Sequence, residues 1–226
     1  MPPRVVRTAR RLGTHLALAP LHLIGQAKGI CVTTRVHPSA RIDPGARFEV
    51  LVGPGTCVQL ELDEDAHIES GCLIRLTAGA SVLIGPRSRI RRFAVLNVAG
   101  RLSLLGDNLV SWHSVIHCAE EVVLESMAGT GEGVTIVDSS HYRAHDQDHW
   151  YGNSTTAPVH IRQNVWLASR STIARGVTIN PAATVAAGSV VLHDVPAGAL
   201  VAGSPARVTG GNRKPTSHDL GANDDR

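Results

Sequence analysis

The segment IVDSSHYRAHDQDHWYG, residues 136–152, gathers residue types that can do chemistry. His141, His145 and His149 are spaced four apart, with Asp138, Asp146 and Asp148 among them. Imidazole changes charge near neutral pH, so it serves as a base, an acid or a metal ligand. Spacing alone leaves three readings open: a metal site, one face of a helix, or one working base among bystanders. The elements that position this stretch decide among them.

Composition narrows those elements. Hydrophobic residues make up 43% of the 226-residue chain but aromatics only 3%, so one domain of ordinary size must build its core from Val, Ile, Leu and Ala. That favours small, uniform core slots. The four cysteines, Cys31, Cys57, Cys72 and Cys118, show no C-x-x-C spacing and are too few for a disulfide framework. A reducing, cytoplasmic setting is expected, with Cys57 and Cys72 filling core slots. The net charge of +3 is mild and implies no nucleic acid partner.

The two ends differ from the middle. No Asp or Glu precedes Asp43, while Arg4, Arg7, Arg10, Arg11, Lys28 and Arg35 do. The N-terminal segment, residues 1–35, predicts a helix up to Pro20, with Val6, Ala9, Leu12 and Leu16 on one side and arginines on another. Its apolar part is too short to span a bilayer, which takes roughly 20 apolar residues, and it lacks a signal-peptide pattern. It reads as a helix packed on the main domain, as an interfacial helix in peripheral contact with the inner face of an anionic membrane, or as a targeting peptide. Residues 209–226 are polar and unpatterned and read as a disordered tail.

Residues 36–208 carry a repeat. Ile161, Leu167, Ile173, Ile179, Val185 and Val191 are each six apart, and four residues after each comes Val165, Ser171, Val177, Ala183, Ser189 and Val195. One slot is always aliphatic and the other small or β-branched. Neither a helix nor a simple strand gives strict sixes. The same register appears in shorter runs at Val36, Ile42 and Phe48, at Leu62, Ile68 and Ile74, and at Ile84, Ile90 and Leu96; Ala40, Ala46, Ala66, Cys72, Ala78, Ser88 and Ala94 take the small slot. Offsets between runs read as corner loops. Three hexads make a triangular coil, so Ile161 and Ile179 should stack on one face of a parallel β-helix.

The hexads resemble those of the hexapeptide-repeat acyltransferases, whose coil is a left-handed parallel β-helix. The words that carry the likeness are PVHIRQNVWLASRSTIARGVTINPAATVAAGSVVLHDVPAGALVAGSPARV, residues 158–208, and the preceding DSSH. They are most similar to the branch containing maltose, galactoside and polysaccharide O-acetyltransferases. The likeness is strong over residues 105–208, weaker over 36–104 and absent at both ends. It implies an all-β fold with a left-handed winding, and an acetyl-CoA-dependent transferase acting on a sugar or glycan hydroxyl. It also implies a homotrimer with active sites between subunits, and no metal. The family keeps glycine where this chain has Arg162, Ala168 and Asn180; Asn tolerates positive φ, so altered corners are expected at Arg162 and Ala168.

By the same resemblance, the family's general base falls on His141, in the loop 137–157 where the hexads pause. Asp138 is a candidate to orient its ring or to border the acceptor pocket, and a structural role in the turn is equally open. His145 and His149 become loop residues beside the acceptor. Ser169 and Ala187 would contact the pantetheine arm of coenzyme A, Leu192 and His193 would lie farther along it, and Arg207 would approach the nucleotide phosphates. Trp166 would border the acceptor pocket or a neighbouring subunit. The family's Asn on the preceding coil counts back to Ser111, with His113 close by. Two rivals are a zinc enzyme like the γ-class carbonic anhydrases, using His113, His117, His141 and His145, and a non-catalytic β-helix assembly subunit. An amine acceptor, or an acyl group longer than acetyl, uses the same chemistry.

Overall fold

Ile161 lies in parallel register with Ile179, as the hexads require. In the computed structural model, which describes residues 17–77, 79–143 and 152–211, the chain winds as a three-faced parallel β-helix. Face A stacks seven strands from Cys31–Val36 to Thr178–Ile179. Face B stacks nine, from Arg41–Ile42 to Ala206–Gly211. Face C stacks seven, from Arg47–Leu51 to Val190–Val191. Alternate residues point inward, so Ile42, Ile68, Ile90, Val110, Leu167, Val185 and Val201 form one buried ladder on face B. Ile74, Leu96, Ile116, Ile136, Ile173 and Val191 form another on face C. Four rings stay outside the narrow interior, since Phe93, Trp112, Tyr142 and Trp166 are exposed, while Phe48, in register with Ile74, packs partly buried against the core of an early coil. Ala78 lies outside the described residues.

The offsets between hexad runs sit at one corner. From face A to B to C the chain keeps its sixes, as in Leu62, Ile68 and Ile74. The return from C to A stretches upstream, from Phe48 to Leu62 and from Leu96 to Leu104, and contracts to Ile173 and Ile179 after the loop. The longer coils hold a second inward residue on each side of this corner: Leu76, Val98 and Cys118 on face C, and Val82, Leu102 and Val122 on face A.

Arg162, Ala168 and Asn180 do not disturb their corners. Their backbone N–H groups donate to Ile179, Val185 and Val195 carbonyls at 2.9, 2.9 and 3.0 Å, as regular coils do. The left-handed backbone falls two residues later, on Asn164, Arg170 and Ala182. A glycine two residues earlier would relieve nothing.

The helix runs past Pro20, over residues 17–28. Leu18 and Leu21 on either side of the proline are buried, and His22 Nε2 lies 3.0 Å from Thr34 Oγ1 on the first coil. Packing on that coil carries the helix beyond the predicted stop. Among the described residues no helix is long and apolar enough to cross a membrane. The first strand starts at Cys31 and the last extends to Gly211, so regular structure reaches past the limits 36 and 208 at both ends. Residues 1–16 and 212–226 lie outside the described residues. Cys72 is buried as expected, but Cys57 is exposed, on the outward side of its strand.

Candidate active site

His141 stands on a two-stranded antiparallel hairpin, Ser139–His141 with Ser154–Thr156, that leaves the solenoid at the C–A corner. Its partner across the hairpin is Ser154. The ring is exposed, and Nδ1 lies 3.0 Å from the Asn153 carbonyl oxygen. A carbonyl only accepts, so Nδ1 carries the hydrogen and the neutral ring presents a lone pair at Nε2. His145 and His149 lie outside the described residues.

Asp138 anchors the hairpin. It is buried, in the ladder position above Cys118. Its carboxylate accepts the backbone N–H groups of Ala119, Glu120 and Glu121 at 2.7, 2.7 and 2.9 Å. On the coil below, the corner N–H groups of Ala99, Gly100 and Arg101 go instead to carbonyls of the next coil, those of Cys118 and Glu120. The solenoid narrows after Asp138, no such corner follows, and the carboxylate stands in for the missing carbonyls.

The B–C corner assembles a second group. Ser111, His113, Ser169 and Ala187 follow one another up this edge. Ser111 is buried; its N–H donates to Thr130 Oγ1 at 2.9 Å. His113 is exposed and stacks on Phe93, centroids 5.2 Å apart. Gly131 permits close approach of the next coil: a Cβ there would stand 2.6 Å from the Ser169 nitrogen. The Ser169 hydroxyl donates to Glu132 at 2.6 Å and, ahead of Glu132's own N–H, holds that carboxyl below the usual carboxylate range. Ala187 is exposed directly above, where the Gly188 N–H bonds the Ser169 carbonyl at 2.9 Å. Trp166 projects outward from face B over Gly129. Arg207 pairs with Ala202 in the final strands of face B and is exposed.

Leu192 and His193 lie on the other edge, exposed at the C–A corner with His141. Within one chain, then, most expected site residues divide between the two edges of face C, while Trp166 and Arg207 lie on face B. Between those edges lies a pair that counting by hexads missed. Asn97 Nδ2 and His117 Nδ1 are 3.1 Å apart on the outer side of face C, and His117 is in register with Val137, at the root of the hairpin. Their signal is their place: outward positions on consecutive coils leading to the loop.

Among the described residues no group of three His, Cys, Asp or Glu side chains could hold a metal ion. A cleft of about 420 Å³ opens lower on the B–C corner, lined by Asp43, His67, Glu69, Arg91, Arg92 and Trp112. Its acidic side chains are partnered within it, with Asp43 2.9 Å from His67 and Glu69 3.6 Å from Arg91, whose guanidinium also lies 3.9 Å above the Trp112 ring.

Known proteins extend this picture. No family model matches the chain. A stretch of 54 residues is 46% identical to the 2,3,4,5-tetrahydropyridine-2,6-dicarboxylate N-acetyltransferase of Staphylococcus aureus (strain JH9); it covers 24% of this chain and 23% of that protein. The match thus spans less than a quarter of the length of the curated relative. The polysialic acid O-acetyltransferase OatWY aligns over 82% of this chain and 90% of its own, with TM-score 0.63 and 18% identity. The polysialic-acid-specific acetyltransferase NeuO aligns over 84% and 90%, with TM-score 0.57 and 15% identity. A maltose O-acetyltransferase from Clostridium difficile 630 aligns over 57% and 68%, with TM-score 0.52 and 21% identity. These likenesses establish a shared fold, the hexapeptide-repeat β-helix.

Proposed function

We propose that the protein is an acyl-CoA-dependent acyltransferase that moves the acetyl group of acetyl-CoA to a sugar or glycan hydroxyl, with His141 as general base. The observation that carries the reading is the 3.0 Å contact from His141 Nδ1 to the Asn153 carbonyl. It fixes the hydrogen on Nδ1 and makes Nε2 the basic nitrogen of the ring, on an exposed hairpin that the repeat interrupts itself to build. The fold shared with three acetyltransferases, two of them O-acetyltransferases, supports the same reaction class.

Nε2 takes the acceptor proton as the oxygen attacks the thioester carbon. The carbonyl oxygen gains charge, which a backbone N–H stabilises. The C–S bond then breaks, and the imidazolium returns the proton to the leaving thiolate. The edge residues suit the donor. Ser169 and Ala187 are small and leave a low shelf for the pantetheine arm, Leu192 and His193 lie along an edge beside His141, and the Arg207 guanidinium suits a phosphate. Asn97 and His117 offer polar contacts to an acceptor below the hairpin.

The division of these residues between two edges supports a homotrimer, in which the B–C edge of one subunit meets the C–A edge of the next. The outward row between the edges suits such contact, since Leu73, Val95, Val115, Thr135, Thr172 and Val190 carry no charge and are half-buried. Incubating the protein with acetyl-CoA and a panel of sugars and amino sugars, with release of free thiol as readout, tests the proposal. Transfer to a hydroxyl that is lost in His141→Ala supports it. Release undiminished in that variant removes His141 as the base, and transfer confined to amino groups makes the enzyme an N-acetyltransferase.

A further inference from the structure

Cys31 and Cys57 are Cα partners in the parallel register of face A, and both are exposed. In-register residues of parallel strands send their side chains to the same side, and the strands lie about 4.8 Å apart. That separation falls within the window of about 4.4–6.8 Å that a disulfide spans between Cα atoms. Both residues occupy the outward phase of their strands, so the two thiols stand side by side on the surface of the first two coils. We propose that Cys31 and Cys57 are an oxidation site, at which a low-molecular-weight disulfide converts the dithiol into an intramolecular disulfide that clasps the first coil to the second.

The backbone around the pair is already held in register. The Cys31 N–H donates to the Thr56 carbonyl at 2.9 Å, and the Gly55 N–H to the Gly29 carbonyl at 2.9 Å. The strand Cys31–Val36 is the end strand of face A, paired on one side only, so it yields to the small approach that bonding requires. Two further observations agree. The Cys31 sulfur is 3.9 Å from Thr33 Oγ1 on the same outward row. The Cys57 thiol is pushed up, first by its hydrogen bond with Cys31 and then by burial.

The exchange runs in two steps. The thiolate of one cysteine of the pair attacks one sulfur of oxidised glutathione, forms a mixed disulfide and releases one glutathione thiolate. The other cysteine then loses its proton and attacks the protein sulfur of that mixed disulfide, and the second glutathione leaves. Two protein thiols and one glutathione disulfide become one protein disulfide and two glutathione thiols, with the two protons passing to the departing thiolates. A bridge between parallel neighbours is strained and therefore readily reduced, which is the property of a reversible clasp.

The other two cysteines serve as internal controls. Cys72 and Cys118 are 0% exposed, and burial pushes their thiols up to about 11 and about 12. The full chain is treated with oxidised glutathione, blocked with a maleimide without denaturation, and analysed by intact mass and peptide mapping. The expected product is a monomer lighter by two hydrogens, with Cys31 and Cys57 peptides cross-linked and a raised melting temperature that dithiothreitol reverses. In Cys31→Ser and Cys57→Ser the remaining thiol should carry one glutathione and melting should not rise. A wild-type chain carrying two glutathiones, a bridge to Cys72 or Cys118, or a dimer linked between chains would each overturn the proposal.

Discussion

His141 Nδ1 and the Asn153 carbonyl oxygen lie 3.0 Å apart at the outer end of the paired hairpin strands. A backbone acceptor survives most side-chain replacements, so the ring's orientation is written into the hairpin and not into a second side chain. His141→Ala should lower the turnover of acetyl transfer by about 10²–10⁴-fold, the range for loss of a positioned base. The ring is exposed, so unfolding should stay within about 0.5 kcal/mol of the parent. Thiol-release kinetics beside thermal melting check both halves.

Asp138 should behave oppositely, through stability. Its carboxylate accepts three backbone N–H groups where the coils narrow. Asp138→Ala leaves those donors without an acceptor and should destabilise the fold by about 3 kcal/mol. Asp138→Asn should lose nearly as much, since half of its amide is a donor facing donors. At about 2–4 °C per kcal/mol for a chain of this size, a drop of about 6–12 °C is expected in thermal melts.

Glu125 ties the coils on either side of the long loop, accepting from Arg162 Nη1 at 2.7 Å and from the Gln163 N–H at 3.0 Å. The Arg162 hydrogen bond holds its carboxyl below the usual range. A carboxyl lower in the folded state contributes fully above its unfolded value of about 4.3, and the contribution disappears as pH falls through the folded value. The pair is partly exposed, so the contribution is about 0.5 kcal/mol. Glu125→Gln should melt about 1–2 °C below the parent at pH 7, with the difference closing as pH falls below the usual carboxylate range.

The hexads made the fold legible because each coil reports its neighbour. Ile161 and Ile179 can stack only if the chain closes a triangle between them, and they do. The path upstream was less legible, because the C–A corner takes extra inward residues such as Val98 and Leu102 that carry no period of six. The regular corners at Arg162 and Ala168 are not legible in the sequence, which shows where a glycine is missing but not that the positive φ falls on Asn164 and Arg170. The site was legible as residue types and hidden as geometry. His141 and Ser169 belong to different edges of face C, and a period along one chain does not say which edges meet across subunits. Asp138 was visible beside His141, but its three donors lie on the coil before it.

Gly131→Ala tests the shelf proposed for the pantetheine arm. A new Cβ would stand 2.6 Å from the Ser169 nitrogen and 2.7 Å from its hydroxyl, so the Ser169 corner must move. Overpacking of this kind costs about 1–3 kcal/mol of stability. The KM for acetyl-CoA should rise by about tenfold, equivalent to about 1.4 kcal/mol of lost binding, while turnover at saturation changes less. A KM unchanged in a folded variant would separate Ser169 from donor binding.

Thr130 sets the hexad pattern against the hydrogen bonds. It occupies the inward ladder of face B next to Leu167, on the coil after Val110, and is 1% exposed. The repeat favours an aliphatic residue there, and valine has the same shape. Yet Thr130 Oγ1 accepts the Ser111 N–H at 2.9 Å and lies 3.2 Å from Ser114 Oγ, which in turn donates to the Gly131 carbonyl at 3.1 Å. Thr130→Val gains one buried methyl, worth about 0.8 kcal/mol, and strands a buried N–H at about 1–3 kcal/mol. The hydrogen bond outweighs the methyl, so the variant should be less stable by about 1 kcal/mol and melt about 2–4 °C lower. Thr130→Ser keeps the acceptor and loses only the methyl, so its loss of about 0.8 kcal/mol has a different origin. Amide exchange separates the two: the Ser111 N–H should lose protection in the valine variant and keep it in the serine variant. A valine variant as stable as the parent would mean that the aliphatic ladder, and not this hydroxyl, governs the corner beneath the site.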